Sequence, residues 1–214
     1  MMQRGLFIVL EGPEGCGKST QVERLAQRFR ESGREVETVR DPGGTPIGEA
    51  IRQILLDKRF EEMSVRTEML LYMASRAQLL EERILPALDD GQIVISDRYL
   101  TSTVVYQGIA GGIDAHAIER MYDQACHGCR PDLVVIVDVS VEEGRARQRH
   151  GPDRMESKSE EFHKKVRQGY LEVARREPEH HVVVDGTKSV EEVAQAVWKE
   201  IASRFVAEER TGSR

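Results

Sequence analysis

Short apolar runs alternate along the chain with stretches whose apolar positions recur at helical spacing. Leu6 to Leu10 is apolar at every position, the pattern of a short strand buried on both faces. From about Lys18 to Ser32, Val22, Leu25, Ala26 and Phe29 fall on one helical face, and Gly33 closes the helix. Glu35 to Arg40 reads as a second strand. Pro46 to Asp57, with Ile47, Ile51, Ile54 and Leu55, reads as an amphipathic helix. Ser64 can cap a longer helix through Leu70, Leu71, Ala74, Ala77 and Leu80, with Pro86 and Gly91 in its end region. Gln92 to Ser96 is strand-like and runs into Asp97-Arg98. Leu133 to Val139 is the most β-branched run in the chain, and Val182 to Val184 is a last short strand. A helix follows Gly186, from about Val190 to Phe205. Strands separated by helices predict a layered α/β fold with parallel pairing and right-handed crossovers. No repeat or linker divides it. Residues 145–161 are densely charged, and the tail after Glu208 is expected to fray.

Composition narrows the function. The 214 residues carry 31 Lys and Arg against 37 Asp and Glu, a net charge of −6, which argues against generic nucleic-acid binding. Any anion must then be held by a local cluster of positive groups. No apolar run reaches the ~18 residues of a membrane span, and the N-terminal stretch lacks a signal-peptide pattern. The three cysteines are too few for a disulfide scaffold. Cys126 and Cys129 form a C-x-x-C around His127, but no second ligand pair exists for zinc. They read as reduced thiols near a helix end, which fits the cytoplasm.

Gly12-Pro13-Glu14-Gly15-Cys16-Gly17-Lys18-Ser19, followed by Thr20, matches G-x-x-x-x-G-K-[ST] between a buried strand and an amphipathic helix. Glycines there let backbone N–H groups wrap an anion at a helix N-terminus. Lys18 is placed to reach the β- and γ-phosphates of a nucleotide, and Ser19 to ligate Mg²⁺. A GTPase switch would read guanine with an N-K-x-D element, and the chain contains no Asn. Asp41-x-x-Gly44 also follows the first helix too closely to be a GTPase metal loop.

Along nearly its whole length the chain resembles thymidylate kinases, P-loop enzymes that phosphorylate dTMP with ATP. The resemblance is carried by FIVLEGPEGCGKST, VRDPGGTPIGEAIRQILLD, LLYMASRAQ, ISDRYLTSTVVYQG, RPDLVVIVDVS and a basic stretch ending in DRME. It implies a three-layer P-loop NTPase fold: a five-stranded parallel sheet flanked by helices, one domain over residues 1–208, a short helical lid at about 145–161 and a tail at 209–214. It implies ATP as donor, Mg²⁺, and a homodimer, with no nucleic acid or membrane as partner.

The resemblance also assigns roles. Asp97 holds Mg²⁺, commonly through water, although taken alone it would be a turn-forming Asp. Arg98 binds the phosphate of dTMP, as a planar guanidinium suits an oxyanion. Arg52 faces that phosphate, where sequence alone would give a solvated helix charge. Tyr72 stacks on thymine and Arg76, four residues on, bonds its carbonyl edge; without the resemblance Tyr72 would be a core aromatic. Thr103 sits near the base and Ser102 beside it. Tyr106 lies beneath the sugar and disfavours a 2′-hydroxyl, and Gln107 follows it. Glu14 accepts from the 3′-hydroxyl. Asp41, where the family more commonly has Glu, precedes Pro42; the corresponding bond is cis in relatives, and the sequence leaves the isomer here open. Arg145, Arg147, Arg149 and Arg154 form the lid charge run, otherwise a solvated face. Lys18, Arg98 and Arg149 are the expected catalytic cations. The rivals are a kinase for another nucleoside monophosphate and a non-catalytic nucleotide-binding module.

Overall fold

The computed structural model describes residues 5–148 and 151–206. Five strands, β1 (Leu6–Glu11), β2 (Val36–Arg40), β3 (Ile93–Asp97), β4 (Leu133–Asp138) and β5 (His181–Asp185), form one sheet in the order β2-β3-β1-β4-β5. Every neighbouring pair is parallel. Each predicted strand is present, with ends shifted by a residue or so. Side chains of β1 alternate between two cores, as period-2 geometry demands of a doubly covered strand. Phe7 and Val9 enter one apolar cluster, and Ile8 and Leu10 enter the other.

The helices are α1 (Lys18–Glu31), α2 (Pro46–Leu56), α3 (Val65–Leu79), α4 (Leu85–Asp89), α5 (Leu100–Thr103), α6 (Ala115–Ala125), α7 (Val141–Arg147), α8 (Glu160–Arg176) and α9 (Val190–Ile201). The first and last of these cover one face of the sheet, with Phe29 edge-on to Trp198. Helices α3 to α6 and α8 supply the other core. Thr45, Ser64, Asp114, Ser140, Ser159 and Ser189 cap helix starts by accepting from a backbone N–H of the first turn.

Three features depart from the sequence reading. The helix begun at Val65 passes through a π turn, Leu80–Ile84, into α4. Pro86 cannot donate to the preceding turn, the wider turn absorbs that mismatch, and the helix ends at Asp89, within the expected Pro86–Gly91 region. The sequence reading gave no bounds for a helix at α5, α6, α7 or α8, although it set the C-x-x-C near a helix end. In α5 and the π segment that follows, Val104–Ile109, the β-branched Thr101, Thr103, Val104 and Val105 obscure the helical signal. The charged run expected as a helical lid has no helix of its own among the described residues. Arg145 and Arg147 end α7, a turn occupies 154–157, and α8 starts at Glu160.

The C-x-x-C pair lies where α6 ends, with Cys126 and Cys129 both buried and neither in a disulfide. Burial pushes the Cys126 thiol up to about 11. Among the described residues no group of three or more His, Cys, Asp or Glu side chains is arranged to hold a metal. Among those residues no helix is long and apolar enough to cross a membrane.

Candidate active site

The register of the sheet brings the chemistry together. Leu10 of β1 lies opposite Asp97 of β3, so the loop after β1 and the turn after β3 leave the same end of the sheet side by side. Ligand sites in open α/β sheets form at that end. In the loop, Gly12, Gly15 and Gly17 all take positive φ, at 143°, 70° and 90°. A Cβ on Gly12 would stand 2.4 Å from the Val137 carbonyl oxygen, and one on Gly15 would stand 2.1 Å from that of Gly144. The loop is thus clamped against the end of β4 and the middle of α7, with its N–H groups at the N-terminus of α1. Lys18 folds back over it, its ammonium 3.4 Å from the Pro13 carbonyl. The Ser19 hydroxyl donates to Asp97. A hydroxyl and a carboxylate beside a phosphate loop are the hard oxygen donors that Mg²⁺ takes, completed by phosphates and water.

Arg98 follows at once, in a left-handed backbone conformation (φ 69°). Its guanidinium donates to the Gly12 carbonyl at 3.1 Å and to Glu14 at 2.9 Å, and lies over the Tyr106 ring. Glu14 also accepts from the Tyr106 hydroxyl at 2.9 Å. Burial alone would raise the Glu14 carboxyl, but Arg98, Lys18 and the Tyr106 hydroxyl outweigh it and hold it down at about 2. Glu14 therefore stays ionised beside two cations.

One cavity adjoins this junction. It is lined by Glu14, Asp41, Arg52, Tyr72, Arg76, Arg98, Ser102, Thr103, Tyr106 and Gln107, every residue that the resemblance assigned to dTMP. Arg76 is fully buried at its inner end. Its Nε donates to Asp41 at 2.5 Å, and its Nη2 donates to the Tyr99 carbonyl at 3.1 Å and the Thr103 hydroxyl at 2.9 Å. A guanidinium has five N–H groups. Apart from a long 3.5 Å approach to the Met73 sulfur, those on Nη1 are uncommitted among the described residues. Burial pushes the Asp41 carboxyl up against the pull of Arg76, and its Oδ1 is buried without a partner among the described residues. The Asp41–Pro42 bond is cis. Arg52 donates to the Pro42 carbonyl at 3.0 Å. The Tyr72 hydroxyl, raised by burial and by Glu68, has no partner among the described residues.

The lid arginines divide. Arg145 is exposed, pairs with Glu160 at 3.1 Å, and lines a small gap shared with Pro13 and Glu14. Arg147 donates to the Gly186 carbonyl at 2.9 Å, away from the cavity. Arg154 points inward, donating to Glu68 at 2.6 Å and to the Leu55 carbonyl at 2.7 Å. It is neither a solvated charge nor part of an open arm. Arg149 lies outside the described residues.

Sequence reasoning passed over other residues of the site. Pro42, Leu56, Asp153, Met155 and Glu156 also line the cavity. Glu68 is fully buried and is held by both Arg154 and Lys158; in the sequence it is an ordinary acidic residue in the first turn of a helix. Glu11 and Tyr170 are buried behind Arg98. A carboxylate ending a fully apolar strand was the available signal for Glu11, whereas Tyr170 reads as a core aromatic.

Comparison with known proteins agrees with this geometry. Residues 10–197 match the thymidylate kinase family. The chain belongs to the thymidylate kinase family. It is 45% identical to a thymidylate kinase of Caldanaerobacter subterraneus subsp. tengcongensis, covering 92% of this chain and 95% of that protein. It is 42% identical to one of Deinococcus radiodurans, over 95% of this chain and 99% of the relative. One of Syntrophotalea carbinolica is 46% identical, over 90% and 93%. A solved thymidylate kinase from Ehrlichia chaffeensis superposes with a TM-score of 0.76 at 29% identity, over 93% of this chain and 99% of that one. The fold and the family read from the sequence both stand, and thymidylate kinase membership makes the chain a phosphotransferase.

Proposed function

We propose that the chain transfers the γ-phosphoryl group of ATP to dTMP, giving ADP and dTDP. The observation that carries this reading is the cavity whose polar lining joins the phosphate loop at Arg98 and Glu14. An acceptor phosphate held there by Arg98 and Arg52 faces the γ-phosphate held by Lys18 and the loop N–H groups. An acceptor oxygen attacks phosphorus, the bond to the ADP oxygen breaks, and catalysis is chiefly positioning and charge stabilisation. The acceptor phosphate is largely dianionic near neutral pH, so no protein base is needed. Ser19 and Asp97 would hold Mg²⁺, which when bound offsets the charge of the donor phosphates. Tyr72 offers a ring to the base. Nη1 of Arg76, which among the described residues makes only the long approach to the Met73 sulfur, can donate to the C4 carbonyl of thymine and not to the C4 amino group of cytosine. Tyr106, fixed by Glu14, occupies the sugar end.

A homodimer and a cytoplasmic setting complete the reading. Ile47 and Ile54, seven apart on α2, and Leu70 on α3 are large apolar side chains left exposed, which supports a second copy packing there. Three buried cysteines, none in a disulfide, support a reducing compartment. A coupled ADP-release assay with ATP, Mg²⁺ and dTMP tests the activity. ADP release should depend on dTMP; equal release without it would leave only a nucleotide-binding module.

A further inference from the structure

Arg98 holds a backbone conformation that non-glycine residues seldom adopt, so its surroundings must fix it. Behind it lies Glu11, the last residue of β1, a fully buried carboxylate. Its Oε1 accepts the backbone N–H groups of Tyr99 at 2.9 Å and Ser102 at 3.0 Å, which ties down the turn on the far side of Arg98. Its Oε2 accepts the Ser102 hydroxyl at 2.6 Å and the Tyr170 hydroxyl at 2.9 Å. The nearest Arg98 nitrogen is 3.9 Å from that carboxylate, too far for a hydrogen bond. The link passes through hydroxyls instead. Arg98 Nη1 donates to Tyr170 at 2.9 Å and to Ser102 at 3.1 Å, and those two oxygens are themselves 2.9 Å apart.

The ring of Tyr170 packs edge-on to Tyr106, which phenylalanine would do equally well. What phenylalanine would lose is a hydroxyl whose three polar contacts all lead to Arg98 or to the carboxylate behind it. We propose that Tyr170 and Glu11 are positioning residues that aim the Arg98 guanidinium at the acceptor phosphate, an inference that rests on the dTMP-kinase reading of the cavity. Glu11 fixes the turn, and Tyr170, carried on α8, sets the direction of Nη1. Neither touches substrate, so their contribution depends on the substrate having a phosphate for Arg98 to meet.

That dependence supplies the test. Binding of dTMP and of thymidine, which lacks the phosphate, is measured for the wild type, Tyr170→Phe, Arg98→Ala and the double variant, together with kcat and KM for dTMP and ATP. Tyr170→Phe should weaken dTMP roughly tenfold, the scale of a hydrogen bond to a charged group, and leave thymidine and the KM for ATP within about two-fold. In the Arg98→Ala background the same change should add almost nothing, as expected for groups acting as a unit. Glu11→Gln should show the same phosphate-dependent signature and serves if Tyr170→Phe is poorly folded. If Arg98→Ala weakens dTMP but Tyr170→Phe affects both ligands equally, or neither, Tyr170 is a packing residue, the proposal is overturned and the reading of Arg98 stands. If Arg98→Ala itself leaves dTMP binding unchanged, the reading of the cavity fails and the proposal falls with it.

Discussion

Lys18 folds onto its own loop, with a backbone carbonyl as its contact and no carboxylate in ion-pair range among the described residues. Its ammonium is therefore held ready for a phosphate and contributes little to the fold. Lys18→Ala should lower kcat by roughly 10²–10³, the scale for removing one preorganised donor, with the melting temperature almost unchanged. Transfer within a few-fold of wild type would remove the phosphate-loop assignment. Glu14 makes a second prediction. Its carboxyl titrates at about 2 in the folded protein against 4.5 for the free group. A depressed carboxyl stabilises the fold fully above its unfolded value and loses that contribution as pH falls toward the folded value. The stability difference between wild type and Glu14→Gln should therefore be greatest above pH 4.5 and shrink steadily down to pH 2. Melting curves across that range check it; a constant difference would mean that Arg98 and Lys18 do not hold the charge.

At the scale of elements, the arm between α7 and α8 is pinned to the cavity by Arg154. That guanidinium meets the fully buried Glu68 on α3, which Lys158 also reaches at 3.0 Å, and Gln107 lies at 3.4 Å. Breaking one side of a buried ion pair costs about 3–5 kcal/mol, whereas an exposed pair is worth about 0–1 kcal/mol. Arg154→Ala should consequently lower the melting temperature by roughly 6–20 °C, at about 2–4 °C per kcal/mol for a chain of this size. Arg145→Ala, which removes an exposed pair with Glu160, should leave it nearly unchanged. Equal melting temperatures would return Arg154 to the solvated surface. The sequence displays these arginines as one charge run because charge spacing does not reveal which side chain turns inward. The strands and α1, α2, α3 and α9 are legible because their periodicity is unbroken. The helix after Arg98 is not, since Thr101, Thr103, Val104 and Val105 favour strands in isolation and are overruled by packing.

Across the whole molecule, an acidic chain gathers Arg52, Arg76 and Arg98 into one cavity, the local positive cluster that a net charge of −6 demands of an anion site. That cluster was legible because its members stand in stretches resembling a family of nucleotide kinases. Its buried carboxylates, Glu11 and Glu68, were not, since a Glu in sequence gives no sign of the cations and N–H groups that will compensate it. Asp41 was marked, but nothing in its sequence neighbourhood signals that its Oδ1 is buried without a partner among the described residues. On these contacts the cavity is built to select dTMP as the acceptor. The most direct measurement is a competition: equal concentrations of dTMP, dCMP and the ribose form of TMP with limiting ATP and Mg²⁺, and the products separated and quantified. The arrangement of Arg76 and Tyr106 predicts that dTDP forms first and matches ADP one for one, because unpaired polar groups in a closed site discriminate strongly. Comparable early yields of dCDP, or ADP formed without dTDP, would contradict it.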